Sequence, residues 1–171
     1  MYSPASHSSG RARSDAPLSL SVGLYDPWFD MDIRLSTDTN EISWEDLARL
    51  YELAPLGKKR APQKIELAFR NSLLKVFAFD GARLVGAGRA LSDGVWRAAI
   101  YDVAVLPEYQ GKGIGSRIIR HLIQHADVDV ITLYAAPGKE AFYERFGFRK
   151  MKTAMAIMSN PEDRKKRGFI E

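Results

Sequence analysis

The chain has 171 residues, enough for one domain with a real core, and carries 25 Lys and Arg against 21 Asp and Glu, a net charge of +4. No run approaches the roughly 18 uninterrupted apolar residues of a membrane-spanning helix, so an integral helical membrane protein is excluded and no membrane partner is expected. There is no cysteine, which excludes disulfides and thiolate metal ligands and fits a reducing, cytoplasmic setting.

Residues 1–30 mix Ser3, Ser6, Ser8, Ser9 and Ser14 with Pro4, Gly10, Arg11 and Arg13, and are expected to form a disordered leader. The domain is expected to run over 31–158, with 159–171 as a basic tail. "MDIRLS" opens the first strand. Ser43 is the N-cap of a helix, with Asp46 three residues on and Leu47, Leu50, Tyr51 and Ala54 at helical spacing. Pro62 suits the first turn of a second helix that turns Ile65, Ala68 and Phe69 inward.

The period then changes to that of strands. "LLKVFAFD" and "ARLVGAGRAL" meet at Asp80-Gly81, a hairpin dipeptide, and Ser92-Asp93-Gly94 turns the chain into "VWRAAIYDVAVL". Farther on, Ile114, Ile118, Ile119, Leu122, Ile123 and Ala126 share one face of an amphipathic helix. "DVITLYAA" reads as a strand, "GKEAFYERF" as a short helix stopped by Gly147, and "FRKMKTAMAIM" as a last strand. Trp44 and Trp96 are expected in the core, and Trp28, in "YDPWFD", either anchors the leader or stays loose.

Between the third meander strand and the amphipathic helix lies "LPEYQGKGIGSRI", with Gly111, Gly113 and Gly115 at alternate positions. Glycine costs about 1 kcal/mol where a helix could use alanine, so a close approach to the main chain is implied. A strand, a bare loop and a helix start aim several N–H groups along the positive end of a helix dipole, which suits phosphate oxygens. A Walker loop would end in Gly-Lys-Ser/Thr, and a dinucleotide fingerprint would have G-x-G-x-x-G directly after the first strand. Neither matches.

"VAVLPEYQGKGIG" resembles the acyl-CoA pyrophosphate loop of the GNAT N-acetyltransferase superfamily, whose Q/R-x-x-G-x-G/A pattern falls on Gln110, Gly113 and Gly115. "AFYERFGF", from Ala141 to Phe148, resembles the C-terminal motif of the same family, and the order of elements from Met31 to Met158 agrees. The resemblance implies an α/β (α+β) fold, a mixed and mostly antiparallel sheet splayed between strands 4 and 5 and flanked by helices, with acetyl-CoA wedged in the gap as co-substrate. It implies main-chain contacts to the cofactor from Val103, Ala104 and Val105. Around the pyrophosphate it places Gln110, Gly111, Lys112, Gly113, Ile114, Gly115 and Ser116, with Lys112 directed to solvent. Phe142 and Tyr143 fall at the thiol end, Phe142 packing into the core.

Acetyl transfer needs a neutral amine, and an alkylamine with a pKa near 10.4 is neutral about once in a few thousand molecules at pH 7. A general base is therefore expected. Asp102 in "IYDVAV" is the candidate: relatives place acids at this part of the fourth strand, and it is the only acid there. Strand alternation sets Asp102 and Ala104 on the face opposite Tyr101, Val103 and Val105, so a bulge is needed to re-aim the carboxylate. Otherwise Asp102 serves a neighbouring cation or backbone group. Tyr143 matches the tyrosine that many relatives use to protonate the departing thiolate, and an N–H near Val105 is expected to receive the oxyanion.

His121 and His125 stand at i, i+4, but Leu122 occupies the place of a zincin's glutamate, so no metal is expected. No G-x-S-x-G elbow is present. The basic clusters Lys58-Lys59-Arg60 and Arg164-Lys165-Lys166-Arg167 are not interleaved with aromatics, so no nucleic-acid partner is expected. The resemblance implies that the loop between the first two helices, "APLGKKRAP", shapes the acceptor pocket together with the ends of the middle strands. Its cations disfavour a polycation and permit an anionic or aromatic amine. The motif pattern is similar to small acetyltransferases of the plant serotonin type, which implies a small primary amine such as an arylalkylamine. A protein lysine or N-terminus as acceptor, a non-catalytic acyl-CoA sensor, and a homodimer remain open.

Overall fold

The computed structural model describes residues 32–54 and 59–171; the leader, Trp28 and Lys58 lie outside them. Strand β1 (Ile33–Ser36) leads to helix α1 (Trp44–Leu53). Ser43 starts this helix as expected, its Oγ accepting the Asp46 N–H at 3.2 Å, and Glu45 and Asp46 place negative charge at the positive helix end. Leu47, Leu50, Tyr51 and Ala54 are buried on one side of it. Helix α2 (Pro62–Arg70) buries Ile65 and Phe69. Phe69 stacks on Phe77 with ring centroids 5.4 Å apart and meets Trp44 at 6.1 Å.

Strands β2 (Leu74–Asp80), β3 (Arg83–Ser92) and β4 (Arg97–Val105) form the antiparallel meander. Helix α3 (Ile114–Ala126) returns the chain to β5 (Val130–Leu133), parallel to β4, and the sheet order is β1-β2-β3-β4-β5. Residues alternate across β3. Ala87, paired with Phe77, faces the α1–α2 layer, and Gly88 faces α3. A methyl at Gly88 would lie 2.7 Å from Ile118 Cγ2, so glycine there lets α3 lie close on the sheet. The pairing of β4 with β5 runs only from Arg97↔Val130 to Ile100↔Leu133, while β4 continues to Val105. Strands 4 and 5 therefore part half-way along β4, the splay that the resemblance implied.

After β5, helix α4 (Glu140–Glu144) takes in the "AFYE" part of the C-terminal motif, and α5 (Pro161–Lys166) lies in the tail. Two readings need correction. The stretch Phe148–Met158 is not a strand, and Met155 and Ile157 are exposed at 95% and 106%. An alternating pattern needs a ladder partner, and β5, four residues long, ends at Leu133. The basic tail carries a short helix: Asn160 caps α5, Pro161 opens it, and acids precede bases along it as the helix dipole favours. Trp96 is not in the core but 66% exposed, because the Asp93 carboxylate accepts the N–H groups of Val95, Trp96 and Arg97 and fixes a turn that turns the ring outward.

Candidate active site

The register of β3 against β4 passes from Ala87↔Ala104 to Arg89↔Tyr101, so Gly88 alone opposes Asp102 and Val103. This is a β-bulge, and Asp102 carries it at φ 54°. Asp is among the few non-glycine residues that tolerate the left-handed region, at about 1–2 kcal/mol. The Tyr51 hydroxyl donates to the Asp102 carbonyl at 2.9 Å, satisfying a group that the bulge takes out of the ladder. Burial, followed by the neighbouring Asp102 charge, pushes the Tyr51 phenol well above its ordinary pKa, so it stays a donor.

The Asp102 side chain, 11% exposed, accepts from two guanidinium groups. Arg89 Nε donates to Oδ2 at 2.6 Å and Arg60 Nη1 to Oδ1 at 2.7 Å. Arg89, 14% exposed, also donates to the buried Ser72 Oγ at 3.0 Å, and Ser72 in turn donates to the Ala68 carbonyl at 2.7 Å. Asp102 thus faces the α2 side of the sheet, while Val103 and Val105 face α3. Any amine or water reaching the carboxylate shares it with an arginine.

Beyond β4 a 3-10 turn, Pro107–Tyr109, is pinned by the Tyr109 hydroxyl donating to Asp80 Oδ2 and by the Arg83–Glu108 ion pair, both at 2.6 Å. Gly111 and Gly113 follow with φ of 75° and 78°, and Gly113 is the N-cap of α3. No side chain caps that helix and no acid stands in its first turn. The N–H groups of Ile114, Gly115 and Ser116 have no acceptor one turn earlier, which leaves an anion site made of main chain. The Ile114 side chain is in the core, so only its N–H is available, and Ala104 is buried likewise. Gly115 lies against Phe142: a methyl there would meet Phe142 Cζ at 3.4 Å. Its role includes seating α4 on the start of α3. Lys112 does not simply face solvent but stands over the Tyr109 ring, 5.1 Å from the centroid. Gln110 Nε2 donates to the Val105 carbonyl at 3.0 Å, occupying one of that oxygen's two acceptor positions.

Tyr143 lies next to Phe142 in α4, edge-on to Phe142 and Phe148. Burial raises its phenol above the ordinary value, so it is protonated across the neutral range. Its hydroxyl makes no hydrogen bond among the described residues. On the opposite edge of α3, the His121 and His125 rings stack at 4.1 Å, with His125 Nδ1 2.7 Å from the His121 carbonyl. Among the described residues no three His, Asp or Glu side chains converge as metal ligands.

A profile of the Acetyltransferase (GNAT) family matches residues 39–148. The chain belongs to the GNAT acetyltransferase family. As such it is an acetyl-CoA-dependent N-acetyltransferase, and the match spans every element from α1 to Phe148. The relatives include an uncharacterized N-acetyltransferase, ycf52, of Pyropia yezoensis, 36% identical over 131 residues that cover 70% of this chain and 71% of the relative. A probable acetyltransferase of Staphylococcus aureus has a similar structure, with a TM-score of 0.65, 27% identity, and coverage of 74% of this chain and 99% of that one. A GNAT acetyltransferase of Brucella melitensis, solved in complex with acetyl-CoA, shares the fold at a TM-score of 0.57 and 18% identity, over 70% of this chain and 84% of its own.

Within this GNAT domain the structure adds residues that motif reading did not single out. Arg89, Tyr51 and Ser72 converge on the bulge from β3, α1 and the end of α2. Lys64 joins Lys59 and Arg60 at the wall of the cavity beside Asp102. The one usable signal in the sequence was an arginine inside an otherwise apolar strand, "LVGAGRAL", since a charge on a buried sheet face needs a partner.

Proposed function

We propose that this GNAT enzyme acetylates the primary amine of a small molecule, an arylalkylamine being the class its motifs favour, by direct attack within a ternary complex in a cytoplasmic setting. The observation that carries the reading is the conjunction at β4: the strand edge freed from β5, the bulge at Asp102, and the uncapped glycine loop one turn beyond it. On this reading the N–H groups of residues 111–116 hold the pyrophosphate of acetyl-CoA, and the free edge from Val103 to Val105 lies along the pantetheine arm. The amine nitrogen attacks the thioester carbonyl carbon. A C–N bond forms, the C–S bond breaks, the amine proton passes through water to Asp102, and Tyr143 gives its proton to the departing sulfur. The exposed apolar residues of 149–158, Met151, Met155 and Ile157, support a homodimer as its working form.

The test is release of the CoA thiol with a panel of amines and peptides, with the acetylated product identified by mass. Turnover on small amines above peptides is the expected result. Preference for a peptide lysine or N-terminus would move the acceptor to proteins, and acetyl-CoA binding without turnover on any amine would make the chain a sensor.

A further inference from the structure

Between the start of α2 and the bulged part of β4 lies a cavity of about 280 Å³ whose apolar floor is formed by Ala61 and Ala68, backed by the buried Ile65 and Phe69. Lys59, Arg60, Lys64 and Arg89 line it against one carboxylate, Asp102, so four cations less one anion leave three positive charges around it. Arg60 and Arg89 are already engaged by Asp102. The lysines are not so engaged: Lys59 has Glu52 only at 3.7 Å, and Lys64 has no carboxylate within ion-pair distance among the described residues. The wall is also the N-terminal turn of α2, where Ala61 has no side chain to cap and no acid stands, so the helix dipole adds to the same sign. Like charges gathered over an apolar floor repel one another and attract a counter-anion, and a concave site focuses that field.

The same cavity holds Asp102 on its inner side. This is the side from which an amine must come if the thioester lies along β4. A ligand that suits both ends has an ammonium or amine toward Asp102 and an anion toward the lysines. Resting on the acetyl-transfer reading above, we propose that the acceptor is a small primary amine that also bears an anionic group, seated on Lys59 and Lys64 while its apolar body lies against Ala61 and Ala68. A neutral arylalkylamine fills the floor and leaves both lysines unanswered. Carboxylate and phosphate share the needed chemistry.

Matched pairs of acceptors test this. Pentylamine against 5-aminopentanoate and ethanolamine against phosphoethanolamine each differ by one anionic group, and the two pairs distinguish carboxylate from phosphate. In at least one pair, kcat/KM is expected to favour the anionic member by about tenfold at low salt, the preference shrinking as salt screens it. Lys64→Glu and Lys59→Gln, both at exposed positions, should each lower that ratio, Lys64→Glu to near or below one. The ratio cancels any loss of general activity. A wild-type ratio of one or less in both pairs overturns the anionic acceptor while leaving acetyl transfer intact. So does a preference that neither lysine variant changes. If no amine is turned over, the transfer reading fails, and thermal shift of the CoA-loaded protein decides the site by itself. Greater stabilisation by 5-aminopentanoate than by pentylamine, lost in Lys64→Glu, keeps the anion site, and equal shifts remove it.

Discussion

Replacing Asp102 by Asn separates its two proposed roles, proton acceptor and partner of arginines. Asparagine keeps the shape and tolerates the φ of 54°, so the backbone is not a confounding factor. It retains one carbonyl oxygen but loses the charge. Arg89, 14% exposed, is then left with a polar but uncharged partner, where a charge-assisted bond contributes about 1.5–3 kcal/mol and a broken buried pair costs up to about 3–5 kcal/mol. Arg60 is 39% exposed and adds at most about 1 kcal/mol. A loss of about 2–4 kcal/mol follows, which at about 2–4 °C per kcal/mol for a chain of this size lowers Tm by roughly 5–15 °C. Thermal and urea unfolding read this, and kcat/KM at neutral pH, taken well below the new Tm, reads the proton acceptor as a loss of about 10²-fold or more. Arg89→Met in the Asp102→Asn background should recover part of the stability, with a coupling above about 1 kcal/mol. An Asp102→Asn protein that melts within about 1 °C of wild type would refute the clamp, and a kcat/KM equal to wild type would refute the proton acceptor.

Tyr143→Phe should lower kcat by about 10²-fold or more while changing the KM for acetyl-CoA much less, because the ring stays and only the proton donor is lost. Since burial raises that phenol, the wild-type rate should not fall through Tyr143 ionisation until beyond the usual tyrosine range, and steady-state rates from pH 7 to 10 check this. Gly88→Ala places a methyl 2.7 Å from Ile118 Cγ2 and 3.3 Å from both Leu122 Cδ1 and Val103 Cγ2, and should cost about 1–3 kcal/mol by urea unfolding. His121 has its pKa lowered by burial first and by His125 second, so the unfolded chain takes up a proton at higher pH than the folded one. Stability contributed by neutral His121 is complete above about pH 6.5 and lost as pH falls through the lower folded value, and His121→Gln should flatten Tm against pH over that acid range.

Much of the fold was legible because its signals are local. Ser43 with Asp46, Pro62 at a helix start, Asp80-Gly81 at the hairpin and the Ile114–Ala126 face each need only a few neighbouring residues to act. The glycine loop was legible for the same reason, since φ at Gly111 and Gly113 is a property of those residues. What was not legible depends on partners distant in the chain. Arg60, Arg89, Tyr51 and Ser72 reach the bulge from four separate places, and no spacing rule links them. The failed strand at Phe148–Met158 shows the converse, a good local pattern without a ladder to join. The α5 cap at Asn160 was hidden by the run of bases after it, which composition reads as solvated tail. At Trp96 the turn chemistry of Asp93 prevailed over the apolar character of the ring.

The bulge and the splay have one mechanical origin. Parallel pairing needs regular extended backbone on both strands, and β4 leaves that region at Asp102, two residues after its last partnered position, Ile100. Past that point β5 has no straight edge to follow. The carbonyl released on the other side of the bulge is taken up by Tyr51, which fixes the distortion rather than letting it anneal into a regular ladder. Opposite the bulge stands Gly88, whose missing methyl lets Ile118 approach, and Ile118 lies one turn after Ile114 at the start of α3. The same local geometry that opens the strand edge therefore draws the uncapped helix end against it. An acyl-CoA needs both features at once: an extended edge for its amide-bearing arm, and an electropositive turn for its pyrophosphate.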